Sequence, residues 1–332
     1  MKSIKVVTTD DKIWNLSSVQ FDIVQSMIIK QPFEINLINE GPDLTSLGLY
    51  DTLHQLSEYF DFSLNNITIR TCNLLEKHDQ IKIIYNPPLH LLDYAKEYIL
   101  DERKHKQLKH FGIFIGRSNA PRLHLASYLN QNYSAHTIMS YHFNIADDFH
   151  VNNIGLEDLI KKYNIQDLCI ESDFISQCPI RLKKSDPVIH NKNSSLNHAQ
   201  QLLKNDFDYF TKTYLDFFVE IVCESYFTGN TFFPTEKIYR PILLKTPFIV
   251  QGPQYFLHNL RSLGFKTFDR WWDEGYTEDP ATYQISEIKK VLNNLSTKTV
   301  DELYKMYTEM APILEHNYQV AMSLESKDFR NI

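Results

Sequence analysis

Short β-rich runs alternate with longer amphipathic stretches along the first third of the chain. The runs are rich in isoleucine, whereas the stretches between them carry apolar residues three and four positions apart. This β-α-β-α order is typical of a parallel sheet covered by helices. It predicts an α/β fold, with strands at residues 2–9, 33–39, 65–73 and 81–88 and helices at 19–30 and 44–60.

A second unit of the same kind is predicted after residue 108. Residues 89–111 have the pattern of a long connecting helix, and residues 110–116 are a new strand that ends on Gly116. A chain of 332 residues is also longer than one core usually supports. We expect a cleft between the carboxyl ends of the two sheets. The predicted divisions are an N-terminal domain at 1–108, a C-terminal domain at 109–300 and a helical tail at 301–332.

Charge and cysteine usage narrow the class of protein. The net charge of -7 and the pI near 6.0 leave no basic excess for a nucleic-acid partner. The first residues lack the apolar region of a secretory signal, and no stretch reaches the roughly 18 uncharged apolar residues of a membrane span. We expect a soluble cytoplasmic protein, while peripheral contact with a membrane stays open. The cysteines match no zinc spacing and are predicted to be reduced core residues: Cys72, Cys169, Cys178 and Cys223.

The stretch at residues 218–252 combines an apolar strand, a polar aromatic loop, a helix start and a second apolar strand. The helix is predicted to begin at Thr235, whose hydroxyl can cap it, so that its free amides and its dipole form an anion site. Lys237 is poorly placed for that dipole, and a bound phosphate explains its position better. Glu236 can accept two hydrogen bonds from a ribose. The alternative interpretation is a solvated helix start, with Glu224 as a charge at the strand end.

The wider pattern of this stretch resembles a known nucleotide-binding motif. A strand ends in Glu and a small polar residue, an aromatic loop follows, Thr-Glu-Lys opens a helix, and a strand with Pro and a terminal Gly comes next. This pattern is similar to that of the fucosyltransferases that use GDP-fucose and, more loosely, to that of exostosin-like transferases. The resemblance covers about residues 218–268. The matching positions are Glu224, Ser225, Phe232, Phe233, Thr235, Glu236, Lys237, Pro247 and Gly252.

A second segment, residues 114–129, resembles the start of the donor domain in the same family. The resemblance implies that Arg117 and Arg122 contact the diphosphate, while Ser118 and Asn119 shape the loop. As an isolated pattern, an arginine at a helix start is more often a surface residue. The family has the GT-B fold, in which two Rossmann-like domains face each other and the donor lies mainly against the C-terminal one. The resemblance therefore implies a GT-B-like architecture here.

Sugar transfer from such a donor requires neutralisation of the diphosphate and activation of an acceptor hydroxyl. Lys237, an arginine and the helix N-terminus can neutralise the diphosphate without a metal. The resemblance implies an inverting reaction, whose general base should lie in the N-terminal domain. Glu40 and Asp43 follow a predicted strand and are the candidate catalytic residues, with Glu40 preferred. The alternative is that Asp43 only caps the next helix and Glu40 is exposed.

The remaining candidates concern the nucleobase and a metal. Tyr226 and Phe233 lie in a loop that leaves a strand end and could stack on a base, although aromatic residues are more often part of a core. Adjacent acids in a polar turn could bind a divalent cation but are more often solvated. We therefore expect no metal and no cofactor. The acidic turn contains Asp147, Asp148 and His150.

Together these patterns predict a glycosyltransferase that moves fucose or a related sugar from a nucleotide-sugar donor to a glycan acceptor. A GDP-linked donor is preferred over a UDP-linked one. Two alternatives stay open. One is an exostosin-like transferase that uses a UDP-sugar, and the other is a non-catalytic protein that binds a nucleotide or a sugar.

Overall fold

Two parallel β-sheets organise the chain. The computed structural model describes residues 1–8, 13, 15–37, 40–86, 108–116, 119–141, 174, 177, 178, 180, 182 and 212–324. Each sheet has four strands, and all neighbouring strands in both sheets are parallel. The α/β class predicted from the alternating pattern is therefore confirmed.

The first sheet is built by the chain before residue 86. Its elements are β1 (Lys2–Val6), α1 (Leu16–Ile28), β2 (Phe33–Leu37), α2 (Leu49–Tyr59), β3 (Ile67–Thr71) and β4 (Lys82–Tyr85). The strand order is β1-β2-β3-β4. Helix α1 buries Val19, Ile23 and Met27 in this core, which are four residues apart and so share one helix face. Among the described strands of this sheet, the order does not reverse.

The second sheet has the order β6-β5-β7-β8. Its elements are β5 (Lys109–Ile115), α3 (Ala120–Tyr133), β6 (Thr137–Tyr141), β7 (Phe217–Cys223), α4 (Glu236–Leu243), β8 (Phe248–Gln251), α5 (Phe256–Ser262), α6 (Ala281–Ser296) and α7 (Val300–Ser323). The order reverses between β5 and β7. In open α/β sheets, a crevice forms at such a reversal, outside the carboxyl ends of the strands.

The pairing of β5 with β7 depends on a glycine. Gly112 lies opposite Glu220 in this pair, and a Cβ atom at Gly112 would lie 2.6 Å from atoms of the Phe217 ring. A larger residue would push the two strands apart. The apolar run that follows in β7 is buried along its whole length.

Helix α7 packs into the core of the second sheet rather than forming a separate tail. Its residues Leu303, Met310, Leu314 and Ala321 are buried in the same cluster as strands β5, β7 and β8. The helix begins with a capping box, in which the Thr299 hydroxyl and the Glu302 carboxylate each bind the other residue's amide.

Several sequence predictions lie outside the described residues: most of the connecting helix at 89–111, the polar loop at 183–198 and Cys169. The other three cysteines are free thiols, with Cys72 and Cys223 buried and Cys178 partly buried. Among the helices of the described part, none is long and apolar enough to cross a membrane.

Candidate functional site

A side chain bridges the crevice at the switch point. Asn119, at the N-cap of α3, accepts a 3.0 Å hydrogen bond at Oδ1 from the Arg122 amide and so caps that helix. The Arg122 side chain is buried, and its Nη2 donates a 2.8 Å hydrogen bond to the main-chain oxygen of Glu224, directly after β7. The carboxyl ends of β5 and β7 are thus linked through a cation.

Glu224 organises the loop between β7 and α4. Its carboxylate is buried and accepts hydrogen bonds from the Thr235 hydroxyl (2.6 Å), the Thr235 amide (3.3 Å) and the Ser225 amide (3.3 Å). Burial raises the pKa of Glu224, and the nearby charge of Lys237 partly opposes that shift. The predicted strand-end charge is therefore an internal acceptor that ties the two ends of the loop together.

Helix α4 begins as predicted, with Thr235 as its N-cap. The Thr235 hydroxyl accepts a 3.2 Å hydrogen bond from the Lys237 amide. The Lys237 ammonium lies over this helix start and donates to Ser225 Oγ (3.0 Å), Thr235 Oγ1 (3.2 Å) and Glu236 Oε1 (2.8 Å). A cation and the first amides of a helix therefore lie side by side.

Glu236 is the partner of Lys237 and the more exposed member of the pair. About half of the Glu236 side chain is exposed, compared with 18% of the Lys237 side chain. Desolvation tends to raise the pKa of Glu236, but the charge and the hydrogen bond of Lys237 lower it to about 2. An arriving anion could exchange with this carboxylate at the ammonium.

A buried ion pair fixes α4 on the sheet beneath it. Arg240 pairs through Nε and Nη2 with Oε1 of Glu220 on β7, with an Nε to Oε1 distance of 3.2 Å. The Tyr214 hydroxyl donates to the other carboxylate oxygen at 2.6 Å. Burial raises the pKa of Glu220, whereas the Arg240 charge opposes that shift. The pair sets where the start of α4 lies relative to the end of β7.

The loop after β7 also contacts the first sheet, and Asn73 is the centre of that junction. The side-chain nitrogen of Asn73, Nδ2, donates to the carbonyl oxygens of Asn230 (3.1 Å) and Pro42 (3.3 Å) and to Glu76 Oε2 (3.2 Å). Its amide oxygen accepts from the Phe232 amide at 2.9 Å. One buried side chain therefore satisfies main-chain groups on both sides of the boundary between the sheets.

The candidate base Glu40 lies at this junction. Its Oε2 accepts a 2.5 Å hydrogen bond from the Tyr226 hydroxyl, and its carbonyl oxygen accepts from the Cys72 amide at 2.9 Å. Tyr226, Phe233 and Cys72 form a small buried cluster beside it. Tyr226 and Phe233, which were predicted to stack on a base, are each at most 7% exposed. Their burial favours the alternative that they are core residues.

Asp43 caps a turn and holds the same loop. Its Oδ1 accepts from the amides of Thr45 and Ser46, both at 3.1 Å, and its Oδ2 accepts from the Ser46 hydroxyl at 2.7 Å and the Asn230 amide at 2.8 Å. Burial tends to raise the pKa of Asp43, but these hydrogen bonds together hold it below the usual 3.8. This environment does not favour a role as general base, which would require a raised pKa. The predicted cap of the next helix is also wrong, because α2 begins at Leu49 with Gly48 as its N-cap, and Asp43 holds the turn before it.

Some candidate residues lie outside the described part of the chain. They are Arg117 and Ser118 of the predicted diphosphate loop and Asp147, Asp148 and His150 of the acidic turn. Among the residues that are described, no group of three or more His, Cys, Asp or Glu side chains is arranged to hold a metal.

Sequence analysis missed Asn73, Glu76 and Arg240. Asn73 and Glu76 directly follow β3 at the carboxyl edge of the first sheet, where polar residues often serve a site. Their position after a predicted strand could have identified Asn73 and Glu76 as candidate site residues. Arg240 lies one turn into α4 and faces Glu220, a charge inside an apolar strand, and a buried charge of this kind calls for a partner.

Comparison of the chain with protein-family models, curated proteins and solved structures gives no match in any of the three. The class of protein is therefore defined by the fold and the site alone. It is an α/β protein with two parallel sheets, in which a cationic helix start lies beside the switch point of the second sheet. The loop that leads to this helix is bonded to the carboxyl edge of the first sheet.

Proposed function

We propose that this protein is a glycosyltransferase of the GT-B type, which transfers fucose or a related sugar from a nucleotide sugar to a glycan acceptor. The observation that carries the proposal is the Lys237 ammonium beside the capped start of α4, with Ser225 and the switch point next to it. Such a helix start favours anions through its free amides and its dipole. The resemblance of residues 218–268 to the fucosyltransferase motif supports the same assignment.

In this proposal Lys237, Arg117 and Arg122 neutralise the diphosphate, while Ser118 and Asn119 shape the loop that binds it. The phosphate takes the place of Glu236 at the Lys237 ammonium. The displaced Glu236 carboxylate then accepts hydrogen bonds from the ribose hydroxyls. In this proposal, the two groups of the 2.8 Å pair, Glu236 and Lys237, bind different parts of the donor.

The reaction proceeds by inversion and needs no metal in this proposal. The acceptor oxygen attacks the anomeric carbon, and its proton passes to the Glu40 carboxylate. The bond between that carbon and the diphosphate oxygen breaks, and its electron pair leaves with the nucleotide. Lys237 and the helix start stabilise the charge that develops on the diphosphate. Asp43 supports the loop rather than acting as the base.

Nucleotide binding tests the donor site. We expect GDP to raise the melting temperature of the wild type, because a ligand that binds only the folded state stabilises it. Lys237→Gln should abolish that increase. Lys290→Gln is the matched control, since it removes the same charge from an exposed pair with Glu287. If neither GDP nor UDP stabilises the wild type, the donor site is refuted.

A second experiment tests whether a phosphate replaces Glu236 as the partner of Lys237. Glu236→Ala frees the ammonium for phosphate but removes the ribose contact. We expect this variant to bind inorganic pyrophosphate more tightly than the wild type and to bind GDP more weakly. Titration calorimetry measures both affinities. A parallel change in the two affinities would contradict the division of roles between Glu236 and Lys237.

A donor panel separates the proposed enzyme from its alternatives. We expect the wild type to release GDP slowly from GDP-fucose, with water as the acceptor. Release of nucleotide only from a UDP-sugar would favour the exostosin-like alternative. Nucleotide binding without release from any donor would favour a binding protein. The proposed location is the cytoplasm, where sugar nucleotides serve the synthesis of surface glycans.

A further inference from the structure

The 2.5 Å hydrogen bond between the Tyr226 hydroxyl and Glu40 Oε2 joins the loop after β7 to the end of β2. These residues are 186 positions apart, so the contact depends on the packing of the two sheets. A hydroxyl that donates to a carboxylate forms a short and strong hydrogen bond. It fixes the direction in which the remaining lone pairs of the carboxylate point.

Other contacts join the same two segments at this point. The Thr231 hydroxyl donates to the Gly41 carbonyl oxygen, and the Asn230 amide donates to Asp43 at 2.8 Å. The Cys72 amide holds the carbonyl oxygen of Glu40 at 2.9 Å. The backbone of Glu40 is therefore anchored by the first sheet, while its carboxylate is oriented by the loop that leads to α4.

The environment of the Tyr226 ring argues against stacking on a nucleobase. Tyr226 is 5% exposed, and its ring lies 6.1 Å from that of Phe233, centroid to centroid, in a cluster with Cys72. Burial and the charge of Glu40 raise the pKa of the Cys72 thiol to about 12, so Cys72 is neutral in this cluster. The Tyr226 hydroxyl donates to the Glu40 carboxylate. The Tyr226 ring therefore packs in this buried cluster, while its hydroxyl orients the Glu40 carboxylate.

We propose that Tyr226 is a positioning residue that aims the Glu40 carboxylate at the acceptor hydroxyl and couples this aim to the loop that holds the donor. The proposal rests on the proposed function, in which Glu40 is the general base. Since Lys237 lies at the other end of the same loop, occupation of the donor site and orientation of the base depend on one segment, residues 224–237.

The test is a double-mutant cycle of Tyr226→Phe and Glu40→Gln. The substrate is GDP-fucose or, in its place, the member of the donor panel that the wild type hydrolyses fastest. We expect Tyr226→Phe to lower kcat about tenfold or more, which corresponds to the loss of one hydrogen bond to a charged group. KM and the GDP affinity should stay unchanged. Glu40→Gln should lower kcat by about 10²- to 10⁴-fold. In the Glu40→Gln background, Tyr226→Phe should have no further effect.

The matched control is Tyr283→Phe, which removes a hydroxyl from an exposed tyrosine on α6 and should leave kcat unchanged. A purely structural role for Tyr226 predicts additive losses in the double mutant and would overturn the proposal. A raised KM and weaker GDP binding at wild-type kcat would indicate stacking on the base and would also overturn it. If the wild type releases nucleotide from no donor, the proposed function falls and this role falls with it. If Tyr226→Phe alone keeps the wild-type kcat, only the role of Tyr226 falls.

Discussion

The Thr235 hydroxyl donates a 2.6 Å hydrogen bond to the buried carboxylate of Glu224 while it accepts one from the Lys237 amide. A single hydroxyl therefore caps α4 and satisfies a buried charge at the end of β7. Both interactions contribute to stability, and both disappear when the hydroxyl is replaced by a methyl group.

We expect Thr235→Val to lower the free energy of unfolding by about 2–4 kcal/mol, because a cap and a hydrogen bond to a charged group are lost together. Thr299→Val is the comparison, since the Thr299 hydroxyl likewise caps α7 and donates to a carboxylate, that of Glu302, but at an exposed site, where the loss should be only about 1 kcal/mol. Urea denaturation measures both. Equal losses in the two variants would mean that the bond to Glu224 contributes nothing.

Gly41 lies where the two sheets meet. A Cβ atom there would lie 2.7 Å from the main-chain nitrogen of Asn73 and 2.9 Å from Cβ of Phe233. We expect Gly41→Ala to lower the free energy of unfolding by about 1–3 kcal/mol, as for other substitutions that overfill a packed region. Gly116→Ala should change it by less than about 0.5 kcal/mol, because a Cβ at Gly116 meets nothing within 4 Å. A tolerated Gly41→Ala would show that this junction is loose.

The lowered pKa of Asp43 makes its contribution to stability dependent on pH. The folded-state pKa is below the usual 3.8, so the contribution is present above pH 3.8 and is lost as the pH falls through the folded-state value. We expect Asp43→Asn to destabilise the protein by about 1–2 kcal/mol at pH 7 and by progressively less in acid. Urea denaturation across a pH series measures the difference. The control is Asp79→Asn, at an exposed position, and a difference for Asp43→Asn that is constant with pH would contradict the prediction.

The buried pair of Glu220 and Arg240 should respond strongly to the loss of one partner. Arg240→Met removes the ion pair from the buried Glu220 carboxylate, which keeps its hydrogen bond from the Tyr214 hydroxyl. We expect a loss of about 3–5 kcal/mol in the free energy of unfolding. Arg270→Met, at an exposed position over the Trp271 ring, should cost less than about 1 kcal/mol. A loss below that of the control would mean that the pair does not anchor α4.

Local patterns in the sequence predict most of the fold. The strands and helices that flank residues 218–252 follow from apolar periodicity, and the start of α4 follows from Thr235 as a cap. The grouping of Glu224, Ser225 and Lys237 was also predictable, because all three lie within one loop and the helix turn that follows it.

The junction between the sheets could not be predicted in the same way. Tyr226 and Phe233 have the composition of a stacking loop, but their burial depends on how Cys72 and Glu40 of the other sheet pack against them. The sequence predicts Asp43 as a base or as a helix cap, whereas its hydrogen-bond donors include the amide of Asn230, far along the chain. Contacts of this kind leave no periodic signal in either segment.

The side chain of Asn73 limits how the two halves of the protein can move. Its hydrogen bonds to Asn230 and Phe232 would both break if the sheets separated along this edge. Buried polar groups without partners cost about 1–3 kcal/mol each. Any opening of the molecule that keeps these bonds must therefore pivot at Asn73.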